Sequence, residues 1–446
     1  MYSHSHPIND PPARRVGIFG TYGFGNMGDA AVADANIAGL QRHIPNMSVL
    51  GICQNPENVR ERHSIEAVSI FRVYIDNSNI VFSAAKASTI PSEHSQPPSS
   101  KVKQWIKSKP WLYKGVKFSI EALRHIPTIL KEAAFSIKIF RVVRQLDLMV
   151  MSGSGQINEE WGGPWRFPFG MFRWTLLARL AGCKVAFMSV GAGEINSRWT
   201  KFFCSSALKL ANYVSVRDAE TKKLIESWGV KNVLLIPDMA FSIRPVEKTF
   251  SLETSQKIVG INPIPYCDPR TWNIYDADVY KNFVKKWVEI CNWLVSEDYV
   301  LYLIPNDLVM DNLVLDDIVN GLDTSFNLDR NVVRPTIDRY SEVIKGFSNC
   351  DYVITCRFHG LLFSFLCGKP AIAIAHHYKF FELAGEMGQR PFAFDITTFQ
   401  AHEIITAFKT IKENEDRIKN EITDNSYPYK NKVEEQFKVI SQLISG

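Results

Sequence analysis

Short apolar runs alternate along this chain with longer segments in which apolar residues recur at helical spacing. RVGIFG, from Arg15 to Gly20, is one such run and predicts a strand. The glycine-rich TYGFGNMGD turns out of it, and AAVADANIAGLQRHI predicts a helix that Pro45 and Asn46 stop. MSVLGIC is the next strand, so the chain opens as a βαβ unit, the start of a parallel sheet. The alternation resumes at LDLMVMSGSG and runs through FGMFRWTLLARLAG, KVAFMSVGAG, SALKLAN, YVSVRD, ETKKLIESWG and NVLLIPD. A second alternating set starts at KIVGINPI and passes through KNFVKKWVEICNWLVSEDYVLYLIP, SEVIKGFSNCDYVITC and PAIAIAHH to two final helices. The pattern predicts an α/β protein of two Rossmann-like domains facing a cleft, with catalytic loops at the carboxyl ends of strands.

Two stretches interrupt the rhythm. SAAKASTIPSEHSQPPSSK is rich in Ser and Pro and reads as a linker. The following segment, Lys101 to Arg144, carries eleven Lys or Arg against two Glu, with Trp105, Trp111, Tyr113, Phe118, Phe135 and Phe140 interleaved. Together they predict a basic helical insertion at about 77–145. The expected boundaries are a disordered leader over 1–14, a first domain over 15–243, a linker over 244–256 and a second domain over 257–446.

Composition narrows the class. A chain of 446 residues is too long for one ordinary core, which agrees with two domains. A hydrophobic content of 46% with 22% charged residues is that of a globular protein, and a net charge of +5 identifies no partner by itself. The eight cysteines show no C-x-x-C pair or zinc spacing, and most sit in apolar surroundings, as reduced thiols in a cytoplasmic protein do. No run reaches the roughly 18 apolar residues of a membrane span. The start, MYSHSHPINDPPARR, lacks the charged-then-apolar order of a signal peptide.

GFGNMG, from Gly23 to Gly28, spells G-x-G-x-x-G between a strand and a helix, where a dinucleotide site is commonly found. About twenty residues on, however, Cys53, Gln54 and Asn55 stand where that site needs an acid, and Asp29 would repel a pyrophosphate at the helix start. A capped tight turn, or a loop for a sugar acceptor, fits better. Arg217 in YVSVRDAET and Arg357 in TCRFHG both lie just past a strand and before a helix. By itself Arg217 reads equally as a surface arginine paired with Asp218 or Glu220. As a pair the two arginines offer forked donors for a carboxylate and a phosphate. His359 adds a group that carries a proton near neutral pH. EEWGGPWRFPFGMFRW gathers Trp161 and Trp165 with several Phe; part is core, and the loop portion suits a platform for a sugar ring. His376 and His377 end a strand without metal spacing.

These pieces together resemble the polysaccharide pyruvyl transferase family. The resemblance rests on GTYGFGNMGDAAV, LDLMVMSGSG, VAFMSVGAG, YVSVRDAET, LLIPDMAF and CDYVITCRFHGLLFSFLCGKPAIAI, in family order from about Arg15 to Gly388. Ala30 stands where an acid is common, GSG replaces a usual run of three glycines, and the basic insertion has no obvious counterpart. The resemblance implies a fold like that of two-domain, GT-B-like glycosyltransferases. It also implies transfer of the enolpyruvyl unit of phosphoenolpyruvate onto two sugar hydroxyls, giving a pyruvate ketal and phosphate; with two arginines and His359 but no metal spacing in the sequence, neither cofactor nor metal is expected. Arg217, Arg357, Phe358 and His359 would bind the donor, with His359 as proton donor or phosphate ligand; Asp29 and Asp238 are the alternative acids. Gly25, Asn26, Asp29, Trp161 and Trp165 would face the acceptor, a free or lipid-linked sugar chain.

Two rivals remain at this level: a nucleotide-sugar glycosyltransferase using Arg357 for a diphosphate, and a non-catalytic relative. The insertion around 100–145 reads as a helical cover on the first domain, or as a peripheral contact with an anionic membrane. Nucleic acid fits less well, because the charge is confined to one insert without a recognition motif.

Overall fold

The computed structural model describes residues 13–23, 26–72, 130–159, 162–248, 256–272, 274–337 and 339–445. Outside them lie nearly all of the leader expected over 1–14, most of the insertion with Trp105, Trp111, Tyr113 and Phe118, part of the linker, and the site candidates Gly25 and Trp161.

The first sheet has seven strands in the order β3-β2-β1-β4-β5-β6-β7. These are Arg15–Phe19 (β1), Ser48–Cys53 (β2), Glu66–Ser69 (β3), Leu148–Ile157 (β4), Lys184–Ala192 (β5), Tyr213–Val216 (β6) and Leu234–Leu235 (β7). The second sheet runs β10-β9-β8-β11-β12-β13. Its strands are Ile258–Asn262 (β8), Val300–Leu303 (β9), Val332–Val333 (β10), Tyr352–Thr355 (β11), Ala371–Ala375 (β12) and Ala393–Asp395 (β13). Every pairing is parallel; Val16, for instance, lies opposite both Val49 and Leu148. Strands in such sheets are covered on both faces, which explains why they read as unbroken apolar runs. In β4, Leu148 and Val150 enter one core while Met149 and Met151 enter the other.

In both sheets the strand order reverses once. The reversal opens a crevice beyond the carboxyl ends of β1 and β4 in the first sheet, and of β8 and β11 in the second. The two crevices face each other. Asn26 forms an antiparallel bridge with Asp307, and the Met27 amide donates to the Asn306 carbonyl at 2.8 Å.

The described end of the basic insertion is helical at 130–143 and buries Ile139 and Val143 in the first domain's outer core. Glu132 there pairs with both Arg72 and Arg173.

The final helix, Glu415–Gln442, crosses back to the first domain. Gln436 is buried and its carboxamide is fully used: its oxygen accepts from Tyr213 and Ser215, and its nitrogen donates to Ser189 at 3.1 Å. Glu434 meets Arg42 and His43 at the end of the first helix, Met27–His43. Phe437 lies over Gly39 of that helix, where an added β-carbon would sit 2.0 Å from the ring's Cζ.

This contact yields a prediction opposite to helix propensity. Alanine for glycine within a helix usually stabilises by about 0.5–1 kcal/mol. Gly39→Ala should instead destabilise by about 1–3 kcal/mol, as overpacking does, and Phe437→Leu should recover part of the loss. Urea denaturation of the parent, Gly39→Ala and Gly39→Ala/Phe437→Leu tests it; a Gly39→Ala protein as stable as the parent refutes the packing.

Candidate active site in the interdomain cleft

The first domain contributes the start of its first helix. Asn26 caps it, its side-chain oxygen accepting from the Gly28 amide at 2.9 Å and the Asp29 amide at 3.4 Å. Asp29 sits in the first turn, where the helix dipole favours a negative charge. Its carboxylate accepts a hydrogen bond from the Ser154 hydroxyl, on the loop-like end of β4. Ser154 has φ +64°, a conformation that suits glycine and costs a serine about 1–3 kcal/mol. The hydroxyl contact with Asp29 is what the serine supplies in return.

The second domain contributes the start of the helix Phe358–Leu366, directly after β11. His359 projects across the cleft onto Gly28. A β-carbon at Gly28 would lie 2.2 Å from the imidazole Nδ1, so only glycine permits this approach. The ring also stacks on Phe363 at 5.8 Å, and its Nε2 is buried without a partner among the described residues. Burial pushes the imidazole below its ordinary value, with Asp238 and Asp29 opposing the shift. Burial therefore favours the neutral imidazole.

Arg217 follows β6 and donates through Nη1 to Asp238 at 2.6 Å, both side chains being almost fully enclosed. Burial works against the Asp238 carboxylate, yet the Arg217 charge, with hydrogen bonds from Arg217 and the Ala240 amide, holds it below the usual carboxylate range. Asp238 thus stays ionised and orients Arg217. The Arg217 guanidinium lies 5.1 Å from the Phe358 ring centre, and its Nε is buried without a hydrogen-bond partner among the described residues.

A further cation was missed from the sequence. Lys379, in the first turn of the helix Tyr378–Glu386, donates to the Ala192 carbonyl at 2.8 Å and lies 3.9 Å from Asp218. Burial, helped by the Arg217 charge, lowers it to about 8. Its position after β12 was a usable signal, because HHYK follows a strand end as RDAE and RFHG do. His377 caps the same helix, and burial holds His376 down to about 4.

Asn26, Asp29, Ser154, Arg217, Phe358, His359 and Lys379 all line one cavity of about 340 Å³. A neighbouring cavity of about 240 Å³ shares Arg217, Phe358 and Lys379 and extends to Glu382 and Glu386.

Two predicted residues are not brought to this cavity. Arg357 turns into its own domain, where Nε donates to Asp311 at 3.1 Å and Nη2 completes a fork on the same carboxylate. Asp311 is wholly buried and also accepts from the Asn306 and Asp307 amides, each at 2.9 Å. The expected arginine pair is therefore split: Arg217 faces the cavity and Arg357 braces the loop that docks on Asn26. Nothing in MDNLVLDD singles out Asp311. Trp165 is 59% exposed and packs with Phe169, Trp199 and Phe203 away from the cleft. Among the described residues no cluster of three His, Cys, Asp or Glu side chains is placed to hold a metal ion.

Comparison with known proteins agrees with this architecture. No curated protein sequence matches the chain. Among solved structures it is similar to UDP-GlcNAc 2-epimerase from Neisseria meningitidis bound to UDP-GlcNAc, at 13% identity and TM-score 0.55, covering 96% of this chain and 99% of that one. It is also similar to Anabaena HepE in complex with UDP and glucose, at 11% identity and TM-score 0.51, over 96% and 98% of the two chains. A glycosyltransferase from Rickettsia africae matches at 12% identity and TM-score 0.50, over 97% and 99%. At such identities the likeness establishes the GT-B-like fold alone. The sequence model of one family spans residues 26–378, from the Asn26 cap through Arg217 and His359 to the residue before Lys379. On that match the chain belongs to the polysaccharide pyruvyl transferase family.

Proposed function

We propose that this protein transfers the enolpyruvyl unit of phosphoenolpyruvate to two hydroxyls of a sugar in a polysaccharide or its precursor. The observation that carries the reading is the lining of the larger cavity. Arg217 and Lys379 bring two cations to it, beside a histidine and a carboxylate, and Arg217 Nε and His359 Nε2 have no other partner among the described residues. Phosphoenolpyruvate places a carboxylate and a phosphate on a three-carbon frame and needs such a set of donors.

The chemistry requires a proton on the methylene carbon, which leaves a cationic carbon for a sugar hydroxyl to attack. Phosphate then departs, and the second hydroxyl closes the ketal as both hydroxyl protons are released. Burial favours the neutral form of His359, and an arriving anion favours its charged form. Donor binding thereby loads the imidazole with the proton it delivers to the methylene. Arg217 and Lys379 offset the charge gathering on the departing phosphate. Asp29, on the opposite wall, takes the proton of the attacking hydroxyl. Asp238 is held ionised by Arg217, so its part is to orient that arginine rather than to act as the acid.

Thermal unfolding discriminates the donor. Phosphoenolpyruvate should raise the melting temperature and UDP-sugars should not; the reverse result favours nucleotide-sugar transfer. In kinetics, Arg217→Lys should raise the donor KM about tenfold, because lysine lacks the forked geometry. His359→Ala should act mainly on kcat, lowering it about 10²–10⁴-fold. Unchanged turnover in His359→Ala removes the proposed acid.

The Lys379 ammonium adds a pH dependence. The anionic donor binds its protonated form, so affinity is retained below about 8 and declines as pH rises through that value. The donor KM should therefore climb between pH 7.5 and 9.5 and stay flatter in Lys379→Arg. A wild-type KM that does not change over this range rules out Lys379 as a donor ligand.

A further inference from the structure

The helices Phe167–Leu180 and Arg198–Leu210 pack side by side on the outer face of the first domain. Neither contains an Asp or Glu. Their shared amino-terminal end is an aromatic cluster in which successive ring centres lie 5–6 Å apart, linking Trp165 to Trp199 and Phe172 to Phe202. Phe203 at its centre is buried, whereas the described residues leave its outer rings uncovered. Trp165, Trp199 and Phe202 are 59%, 42% and 51% exposed. Arg198 and Lys201 stand in the same turn of helix as Trp199 and Phe202, both exposed. Neither has an ion pair with any described residue, and Arg198 lies over the Trp199 ring at 5.7 Å. Glu159 accepts from the Ser197 amide at the start of the second helix, yet the exposed Trp and Phe with Arg198 and Lys201 beside them match the headgroup region of an anionic bilayer, where rings enter the interface and cations meet phosphates.

We propose that this face, centred on Trp199 and Phe202, docks the protein on an anionic lipid surface. A second copy of this chain is a different occupant, and the test separates the two. Among the described residues no helix is long and apolar enough to cross a membrane, so the contact is peripheral. The proposal is independent of the reaction assigned to the cleft, because none of these residues lines either cavity there.

The experiment is co-sedimentation of the full chain with vesicles of phosphatidylcholine alone and with phosphatidylglycerol added, for the parent, Trp199→Ala/Phe202→Ala and Arg198→Ala/Lys201→Ala. Thermal unfolding of each variant confirms that it is folded. The parent should pellet with the anionic vesicles and much less with the neutral ones. Each double variant should weaken anionic partitioning by about tenfold, the aromatic pair through lost insertion and the basic pair through lost charge. Parent protein left in the supernatant with anionic vesicles overturns the proposal. So does binding that survives both double variants unchanged, since the contact then lies elsewhere in the chain. Sedimentation velocity supplies the last outcome: a parent dimer that the aromatic variant makes monomeric, without vesicle binding, assigns the face to a second copy.

Discussion

The ion pair between the partly buried Arg357 and the fully buried Asp311 is the joint on which the cleft depends. Asp311 is wholly enclosed and receives the arginine fork together with the amides of Asn306 and Asp307. That loop carries the Asn306 carbonyl that takes the Met27 amide, and the Asp307 backbone that bridges Asn26. One carboxylate therefore ties the end of β11 to the start of the first helix in the other domain. The approach of His359 to Gly28 follows from it. Removing one member of such a pair typically costs 3–5 kcal/mol, because the other charge is left buried and unpaired. Here the loss would fall on the geometry of the site as well as on stability.

The second tie between the domains lies at the other end of the same helix. The final helix returns to the first domain, and Gln436 satisfies three partners while Phe437 settles on Gly39. The first helix is thus held at its amino end by the second domain's loop and near its carboxyl end by the second domain's last helix. A helix pinned at both ends presents Asn26, Gly28 and Asp29 in one place. The cleft it borders is electrostatically mixed. Arg217 is paired with Asp238, and Lys379 is lowered by burial and by Arg217, so each cation would respond to an incoming anion. A fully neutralised site would not bind one, and an unpaired cluster of cations would not stay buried.

Much of this was legible in the sequence, and the reasons differ by element. Strands buried on both faces must be apolar throughout, and helices packed on a sheet must repeat their apolar residues every three or four positions. RVGIFG, LDLMVM and DYVITC therefore announced their elements, and the α/β class with them. Arg217 and His359 were legible because polar residues at the carboxyl ends of such strands stand out against the apolar run. Lys379 carried the same signal more weakly, behind two histidines. The two members of the arginine pair looked alike in sequence, each at a strand-to-helix junction, and the fold gave them different partners. Asp238 for Arg217 and Asp311 for Arg357 come from 21 and 46 residues away. Trp165 read as a sugar platform from its company of aromatics, yet lies on the outer face, since composition does not say which side of a domain a loop occupies.

What the sequence determined by itself was local: the order of strands and helices, the parallel class and the residues at strand ends, because periodicity and turn chemistry act over a few positions. The tertiary structure alone decided which strand ends face each other and which charges are paired. It also decided that Gly28 must yield space to His359 and that the last helix crosses back to seal the first. Those outcomes depend on contacts between segments tens to hundreds of residues apart, which no local pattern encodes.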